Sequence, residues 1–243
     1  KIYLFMDNKI FLRHIKNQKN HWWFQSRKKI LEQIIISMGL KKKSNILDYG
    51  TGSGVNLDML CKFGCVDIHE KNKFARMFIK NNNKKIKRVY ATNKIKKNFY
   101  DLIVVADVIE HIRIPKPILK NLKKSLKKNG KILVTVPAYQ FLFSKKDEAL
   151  GHYRRYTKES LKKEFKNFKI ENVSYFNFYL FFPIVILTFF NKLFNIDYIK
   201  KAETTPNNFI NILLKFVFSS EKYFIKYLNF PFGISLYILV KNV

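Results

Sequence analysis

Acidic residues are scarce in this chain: 17 Asp and Glu stand against 47 Lys and Arg in 243 residues, a formal charge of +30 at pH 7. An excess of that size suggests an anionic partner such as a membrane surface, nucleic acid or a phosphorylated substrate. The plainer reading is codon composition, because Lys, Asn, Ile, Phe and Tyr, all plentiful here, are encoded by A/T-rich codons. The lysines are spread along the chain, as in Lys41 to Lys43 and Lys123, Lys124, Lys127 and Lys128, which favours the plainer reading. Cysteine is almost missing as well. Cys61 and Cys65, four apart beside a predicted strand, read as small core residues and give no disulfide or metal framework. A reducing compartment is expected. No secretory pattern opens the sequence, so the expected location is the cytoplasm, with the inner face of the membrane as a peripheral site.

Several chemistries lack their motifs. There is no nucleophile elbow, no metal-spaced His/Cys cluster and no pair of catalytic carboxylates, so no metal is expected. A dinucleotide fingerprint fails, because a G-x-G-x-x-G frame starting at Gly50 puts its third glycine on Val55. A P-loop fails for want of Gly-Lys-Ser/Thr after four spacers. A membrane span is also not supported. Asn172 to Asn191 carries no charge, but its first residues are wanted as a strand, Asn177 and Pro183 interrupt it, and the remaining apolar run is short.

What is present is organised around Ile46 to Asn56, which reads Ile-Leu-Asp-Tyr-Gly-Thr-Gly-Ser-Gly-Val-Asn. Apolar residues around Asp48 make a short buried strand, and Gly50, Gly52 and Gly54 precede a helical pattern over Val55 to Phe63. Glycine permits positive φ and close approach of another molecule, and a helix start presents unpaired N–H groups. The loop is built to hold a polar or anionic ligand.

In chain order, residues 1 to 20 are basic and weakly patterned, with Phe11 and His14 as candidate packing points. His21 to Met38 reads as a helix stopped by Gly39. Its aromatic start, His21-Trp22-Trp23-Phe24, either covers a sheet edge or forms a lid, since aromatic faces stack on adenine or enclose a cationic sulfonium. Strands follow at Cys65 to Glu70, Arg88 to Tyr90, Asp101 to Ala106, Lys131 to Val136, Lys169 to Phe176 and Gly233 to Val240. Helices alternate at Lys73 to Lys80, from Pro115 to a stop at Asn129-Gly130, and at Thr157 to Phe165. The continuous apolar run Leu102 to Ala106 suits a parallel strand buried on both faces. The alternation predicts a Rossmann-like, seven-stranded, mostly parallel α/β sheet with helices on both faces and an antiparallel last strand. Leu180 to Phe194 reads as a buried or interfacial helix. Asn207 to Tyr227 reads as a basic amphipathic helix that packs on the core or lies on an anionic bilayer.

The spacing Asp48-x-Gly50-x-Gly52-x-Gly54 resembles the first motif of class I S-adenosylmethionine-dependent methyltransferases. The likeness extends firmly over Ile46 to Pro137 and loosely over Gly151 to Val240. The His-aromatic-Trp-Phe segment resembles that of a bacterial subgroup. The resemblance implies S-adenosyl-L-methionine as cofactor, with Asp48, Gly50, Thr51, Gly52 and Gly54 carrying its methionine part. It also implies a second-strand acid on the ribose hydroxyls, either Asp67 inside the strand or Glu70 at its C-terminal end. Glu70 is preferred, because ligands of open sheets bind at the carboxyl ends. The family often offers an acid to the adenine; here Ala91-Thr92-Asn93 supplies only Thr92 or Asn93. The resemblance also implies that the segment beginning at Asp107 closes one side of the cofactor site.

The acceptor side is expected in Asp147 to Tyr156, dense in groups that move protons or bind anions, or else a plain ion-paired loop leading into a helix capped by Thr157. His152 is a candidate general base, with His111 and Tyr156 as further catalytic candidates. Arg154 and Arg155 are a candidate carboxylate or phosphate clamp, and Trp23 and Tyr139 are substrate-facing candidates. The expected organisation is a lid segment at residues 1–45, a cofactor core at 46–176, a helical insertion at 177–232 and a final strand at 233–243. The fourth strand ends in Ala106-Asp107-Val108-Ile109 and lacks the Asn/Asp-Pro-Pro-aromatic box of amino-methylating nucleic-acid enzymes. The expected acceptor is therefore a small molecule or a lipid-linked hydroxyl, with oligomeric state open. The rivals are a non-catalytic module docking on membranes and a nucleic-acid methyltransferase.

Overall fold

A computed structural model describes residues 12, 15–41, 43–83, 85–194 and 205–242; Phe11 and His14 lie outside the described residues. A seven-stranded sheet runs in the order β3-β2-β1-β4-β5-β7-β6. Its strands are β1 (Ser44–Tyr49), β2 (Gly64–His69), β3 (Val89–Tyr90), β4 (Tyr100–Ala106), β5 (Leu126–Pro137), β6 (Lys169–Phe176) and β7 (Ser235–Lys241). Strands β1 to β5 pair in parallel, and β7 is antiparallel to both β5 and β6. The helices are α1 (Trp22–Ser37), α2 (Leu57–Leu60), α3 (Lys73–Asn82), α4 (Lys116–Ser125), α5 (Lys145–Ala149), α6 (Lys158–Glu164), α7 (Phe181–Leu193) and α8 (Asn208–Ser220).

The sheet is central because its middle strands have no polar face. Leu102, Ile103, Val104 and Val105 of β4 are fully buried, as are Ile132, Leu133 and Val134 of β5. Each such side chain contributes roughly 1.5 to 3 kcal/mol. Asp67, inside β2, is one of the buried polar exceptions. It accepts from the Tyr100 hydroxyl at 2.7 Å and pairs with Arg88 at 3.1 Å.

Four expectations shift. The helix after the glycine loop is only the four residues of α2, because Gly54 at φ 82° delays its start and i→i+3 bonds from Lys62 and Phe63 tighten its end. Asn129-Gly130 does not stop α4, which ends at Ser125. These two residues sit inside β5 at a break in register against β4, with Asn129 at φ 66° and Gly130 too close to the Tyr100 carbonyl for any side chain. The last strand begins at Ser235 because Gly233 packs against the Phe176 carbonyl. Finally, of the two alternatives for α7, buried or interfacial, the buried one falls: none of its residues is buried, and Phe182, Ile186, Phe189, Phe190 and Leu193 are exposed. No helix among the described residues is long and apolar enough to cross a membrane.

The N-terminal helix joins the helices before β7. The Trp22 amide donates to Asn211 Oδ1 at 2.8 Å, the Ser26 and Ser219 hydroxyls meet at 3.0 Å, and Trp22 meets Phe218 edge-on. After β6 the chain turns at Asn177 (φ 59°), and the buried Glu221 carboxylate accepts the amides of Asn177, Phe178 and Tyr179.

Candidate active site

The parallel strands β1 to β4 bring their carboxyl ends to one edge, where the glycine loop leaves β1. Gly50, Gly52 and Gly54 all have positive φ, at 75°, 57° and 82°. At Gly50 a Cβ would meet the Val108 side chain at 2.6 Å, whereas at Gly52 it would meet nothing within 4 Å. The first glycine is required by packing, and the second leaves open space above the loop. The Gly50 and Thr51 amides donate to the His69 carbonyl, and the Gly52 amide donates to the Glu70 carboxylate at 2.8 Å. The other Glu70 oxygen accepts the Asn72 amide, also at 2.8 Å. Burial raises the Glu70 pKa, against the pull of those amides. Of the two competing acids, Glu70 reaches the loop, and Asp67 is held in its pair with Tyr100 and Arg88.

Asp48 is buried beneath the loop with one carboxylate oxygen unpartnered, while the Thr51 hydroxyl donates to its backbone carbonyl at 2.8 Å. Desolvation pushes the Asp48 carboxyl up to about 7. Beyond β3, Asn93 accepts the Tyr49 hydroxyl at 2.9 Å, and Tyr49 stacks on His69 at 4.1 Å. Burial lowers the His69 pKa to about 4, so this ring is neutral. Thr92 is exposed, its hydroxyl accepting the Lys94 amide at 3.4 Å. Asn93 is thus tied to the β1 and β2 tips, and Thr92 is not.

Asp107 follows β4 at φ 56°. Its carboxylate pairs with Arg27 of α1 at 2.8 Å and accepts the Thr135 hydroxyl at 2.9 Å, and Arg27 also donates to Thr135 at 3.1 Å. The Arg27 guanidinium lies over Trp23 at 5.1 Å. Arg27 thus ties α1 to the ends of β4 and β5, with Trp23 against its guanidinium.

Next to it lies the second cluster. His152 Nδ1 and Asp147 Oδ1 are 2.8 Å apart, and the His152 ring meets His111 edge-on at 4.6 Å. Burial would raise the Asp147 carboxyl, but its hydrogen bonds to His152 and Arg155 hold it well below the usual carboxylate range. Burial, helped by His152, lowers the His111 pKa to about 4. The anticipated arginine clamp is not formed. Arg155 is bidentate on Asp147, and Arg154 donates to the Arg113 carbonyl at 2.7 Å. The buried Asp147 carboxylate needs that pairing more than a solvent-facing arginine does. Tyr156 is also displaced from the expected role: it is buried, its hydroxyl donating to the Ile109 carbonyl at 3.4 Å. Tyr139, at φ 61°, stacks on Tyr175 at 5.0 Å and meets Phe181 of α7 at 5.6 Å. Thr157 caps α6 as read.

Arg27, His69, Glu110 and Asp147 were not singled out from the sequence. Arg27 sits between Ser26 and Lys28, and Asp147 between Lys146 and Glu148, so neither stood out locally; His69 and Glu110 carried no signal either, because Tyr49 beside His69 and His152 beside Glu110 come from other parts of the chain.

An open α/β sheet with a reversed β7 and a glycine loop bridged to an acid on β2 is the architecture of class I S-adenosylmethionine-dependent methyltransferases. A family model described as a methyltransferase domain matches residues 20–175. The chain belongs to that family and is a methyltransferase. No curated protein matches its sequence. Among solved structures, a candidate methyltransferase of Bacillus halodurans is 16% identical, with TM-score 0.56 over 88% of this chain and 98% of its own. Phosphoethanolamine N-methyltransferase 2 of Haemonchus contortus, solved with phosphomonomethylethanolamine and S-adenosylhomocysteine, is 16% identical, with TM-score 0.60 over 97% of this chain and 57% of its own. A candidate sarcosine dimethylglycine methyltransferase from Galdieria sulphuraria is 14% identical, with TM-score 0.56 over 88% and 83%.

Proposed function

We propose that this protein transfers a methyl group from S-adenosylmethionine to a hydroxyl of a small-molecule or lipid-linked acceptor. The observation that carries the cofactor half is the 2.8 Å bridge from the Gly52 amide to the Glu70 carboxylate. It sets an acid beside a loop with open space at Gly52, which suits a ribose diol and an amino-acid tail. Asp48, Gly50, Thr51, Gly52 and Gly54 hold the methionine part, Glu70 the ribose, Asn93 the adenine side, and Asp107 the wall toward the acceptor. The bound cofactor supplies an electrophilic methyl on a sulfonium, so the chain's own task is alignment and removal of one proton. His111 and His152 face the acceptor and take charge of that proton, with Asp147 orienting His152. Trp23 and Tyr139 flank them.

The lipid-linked reading rests on α7. Its exposed phenylalanines continue from the acceptor side, since Phe141 stacks on Phe189 at 6.3 Å and Lys192 donates to the Phe141 carbonyl at 2.8 Å. On α8, Phe209, Ile212, Leu213 and Phe216 are exposed as well. Apolar faces on a +30 chain match an anionic bilayer surface. Nucleic acid is not the favoured acceptor.

Isothermal titration with S-adenosylmethionine and S-adenosylhomocysteine tests the cofactor half. Single-site binding is expected, and no heat from folded protein counts against it. For the acceptor half, His152→Ala should spare cofactor affinity while reducing methylation of a labelled cell extract. Flotation with liposomes of 30% anionic lipid tests the surface; equal flotation of wild type and a Phe182→Ser/Phe189→Ser/Phe190→Ser variant removes α7 from it.

A further inference from the structure

Glu110 is fully buried behind Asp107, and neither of its carboxylate oxygens has a hydrogen-bond partner. An unpartnered buried carboxylate is costly unless it is protonated or something neutralises it. Ring nitrogens of His111 and His152 complete a group whose ligand atoms all lie within 4.8 Å of one another. These groups come from two places in the chain, the turn after β4 and the loop after α5, so their meeting is a product of the fold.

The surroundings resemble the outer layer of a metal centre. Asp147 holds His152 through Nδ1 and leaves Nε2 free for the cluster, as carboxylates do for metal-bound imidazoles. The backbone at Gly151 and Leu150 engages the His111 ring. Charge balance points the same way. Arg27 answers Asp107 at 2.8 Å and Arg155 answers Asp147 at 2.9 Å, while the third carboxylate, Glu110, has no cation of its own.

We propose that Glu110, His111 and His152 bind one divalent transition-metal ion on the acceptor side of the cleft. Two imidazoles and a carboxylate suit Zn2+, Mn2+ or Fe2+, whereas Mg2+ and Ca2+ prefer all-oxygen shells. At metal–ligand distances of about 2.1 Å, tetrahedral neighbours stand about 3.4 Å apart. The longest separation here closes to that by no more than about 1.4 Å, and Glu110 gives up no hydrogen bond in moving. Three protein ligands leave a position for water or an acceptor oxygen, which deepens the proposed function: with the ion bound, the two imidazoles would serve as its ligands and would not themselves take the acceptor's proton, and the ion would instead lower the pKa of an oxygen held at the open position. The location of the ion beside the acceptor rests on that reading, but its binding does not.

The test is metal uptake by chelator-stripped, tag-free full chain. Co2+ is followed by its visible absorption and Zn2+ by equilibrium dialysis, with S-adenosylhomocysteine affinity measured on the same samples. One ion per chain is expected, bound at least tenfold more weakly by Glu110→Gln and by His152→Asn, and unchanged in His69→Gln. His152→Asn decides the matter if Glu110→Gln does not fold. Folded wild type that binds S-adenosylhomocysteine but no ion overturns the site and leaves the histidines acting without metal. Uptake that survives both substitutions also overturns it. Uptake without S-adenosylhomocysteine binding sinks the cofactor reading and leaves the metal site standing.

Discussion

Arg27 and Asp107 meet at 2.8 Å, and the guanidinium is almost wholly buried while the carboxylate keeps about a quarter of its surface exposed. The pair joins the N-terminal helix to the end of the central strand and also holds Thr135 of β5. Removing Asp107 strands a buried cation, so Asp107→Asn should cost about 3 kcal/mol. Arg27→Met/Asp107→Asn should recover a good part of that loss, because the uncompensated charge is gone. Urea unfolding of the four proteins in the cycle checks this; additive losses would mean the two groups are not coupled.

Asp67 inside β2 and Glu70 just past its end should separate cleanly. Glu70→Gln weakens one of the two contacts that set the carboxylate against the glycine loop, and about tenfold weaker S-adenosylhomocysteine binding is expected with little loss of stability. Asp67→Asn should do the opposite. It breaks the Tyr100 and Arg88 contacts, costs about 2 kcal/mol, and leaves ligand affinity within twofold. Calorimetry and thermal melts on both variants read the two effects; a reversed pattern would give the ribose role to Asp67.

Gly50 and Gly52 should fail in different ways. A methyl group at Gly50 lands on Val108 and adds to the strain of φ 75°, so Gly50→Ala should unfold at lower temperature. At Gly52 the space is open, so Gly52→Ala costs only about 1 kcal/mol of backbone strain. Gly52→Arg fills the space over the loop and should abolish cofactor binding in protein that still melts cooperatively.

Glu221 makes stability depend on pH. Burial raises its carboxyl from 4.5 to about 7, despite three backbone amides that favour the anion. Between those values the folded chain holds a proton that the unfolded chain has released, so this group's contribution falls as pH rises from 4.5 to 7. Glu221→Gln lacks that dependence. Relative to wild type its melting temperature should climb across pH 5 to 7.5, by the equivalent of roughly 2 kcal/mol. Parallel curves would show that the carboxyl titrates normally.

Much of this protein was legible before any coordinates. β6 runs over Lys169–Phe176 as read, because the β-branched and aromatic residues Ile170, Val173, Tyr175 and Phe176 recur along it among polar ones, as strands do. The glycine loop and its flanking strand were readable because positive φ at alternate positions leaves a local mark in residue type. That Glu70 and not Asp67 reaches the glycine loop follows from its place just past the strand end.

The side-chain pairings were not readable, because each joins residues far apart in sequence. Nothing local in Arg155 says that it serves Asp147 and not a ligand, nor in Tyr156 that its hydroxyl turns inward to Ile109. The length of α2 was set by Gly54 and the tightened turn after it, and the exposure of α7 ran against its hydropathy. The amino-acid order alone determined the sheet and the loop, since these follow from local periodicity and backbone sterics, and the likeness of that loop to class I methyltransferases implied the class of chemistry. Which charges are spent on one another and which stay available, with Glu110 foremost, was decided only by tertiary packing, because the free energy of a buried charge depends on the neighbours that folding brings to it.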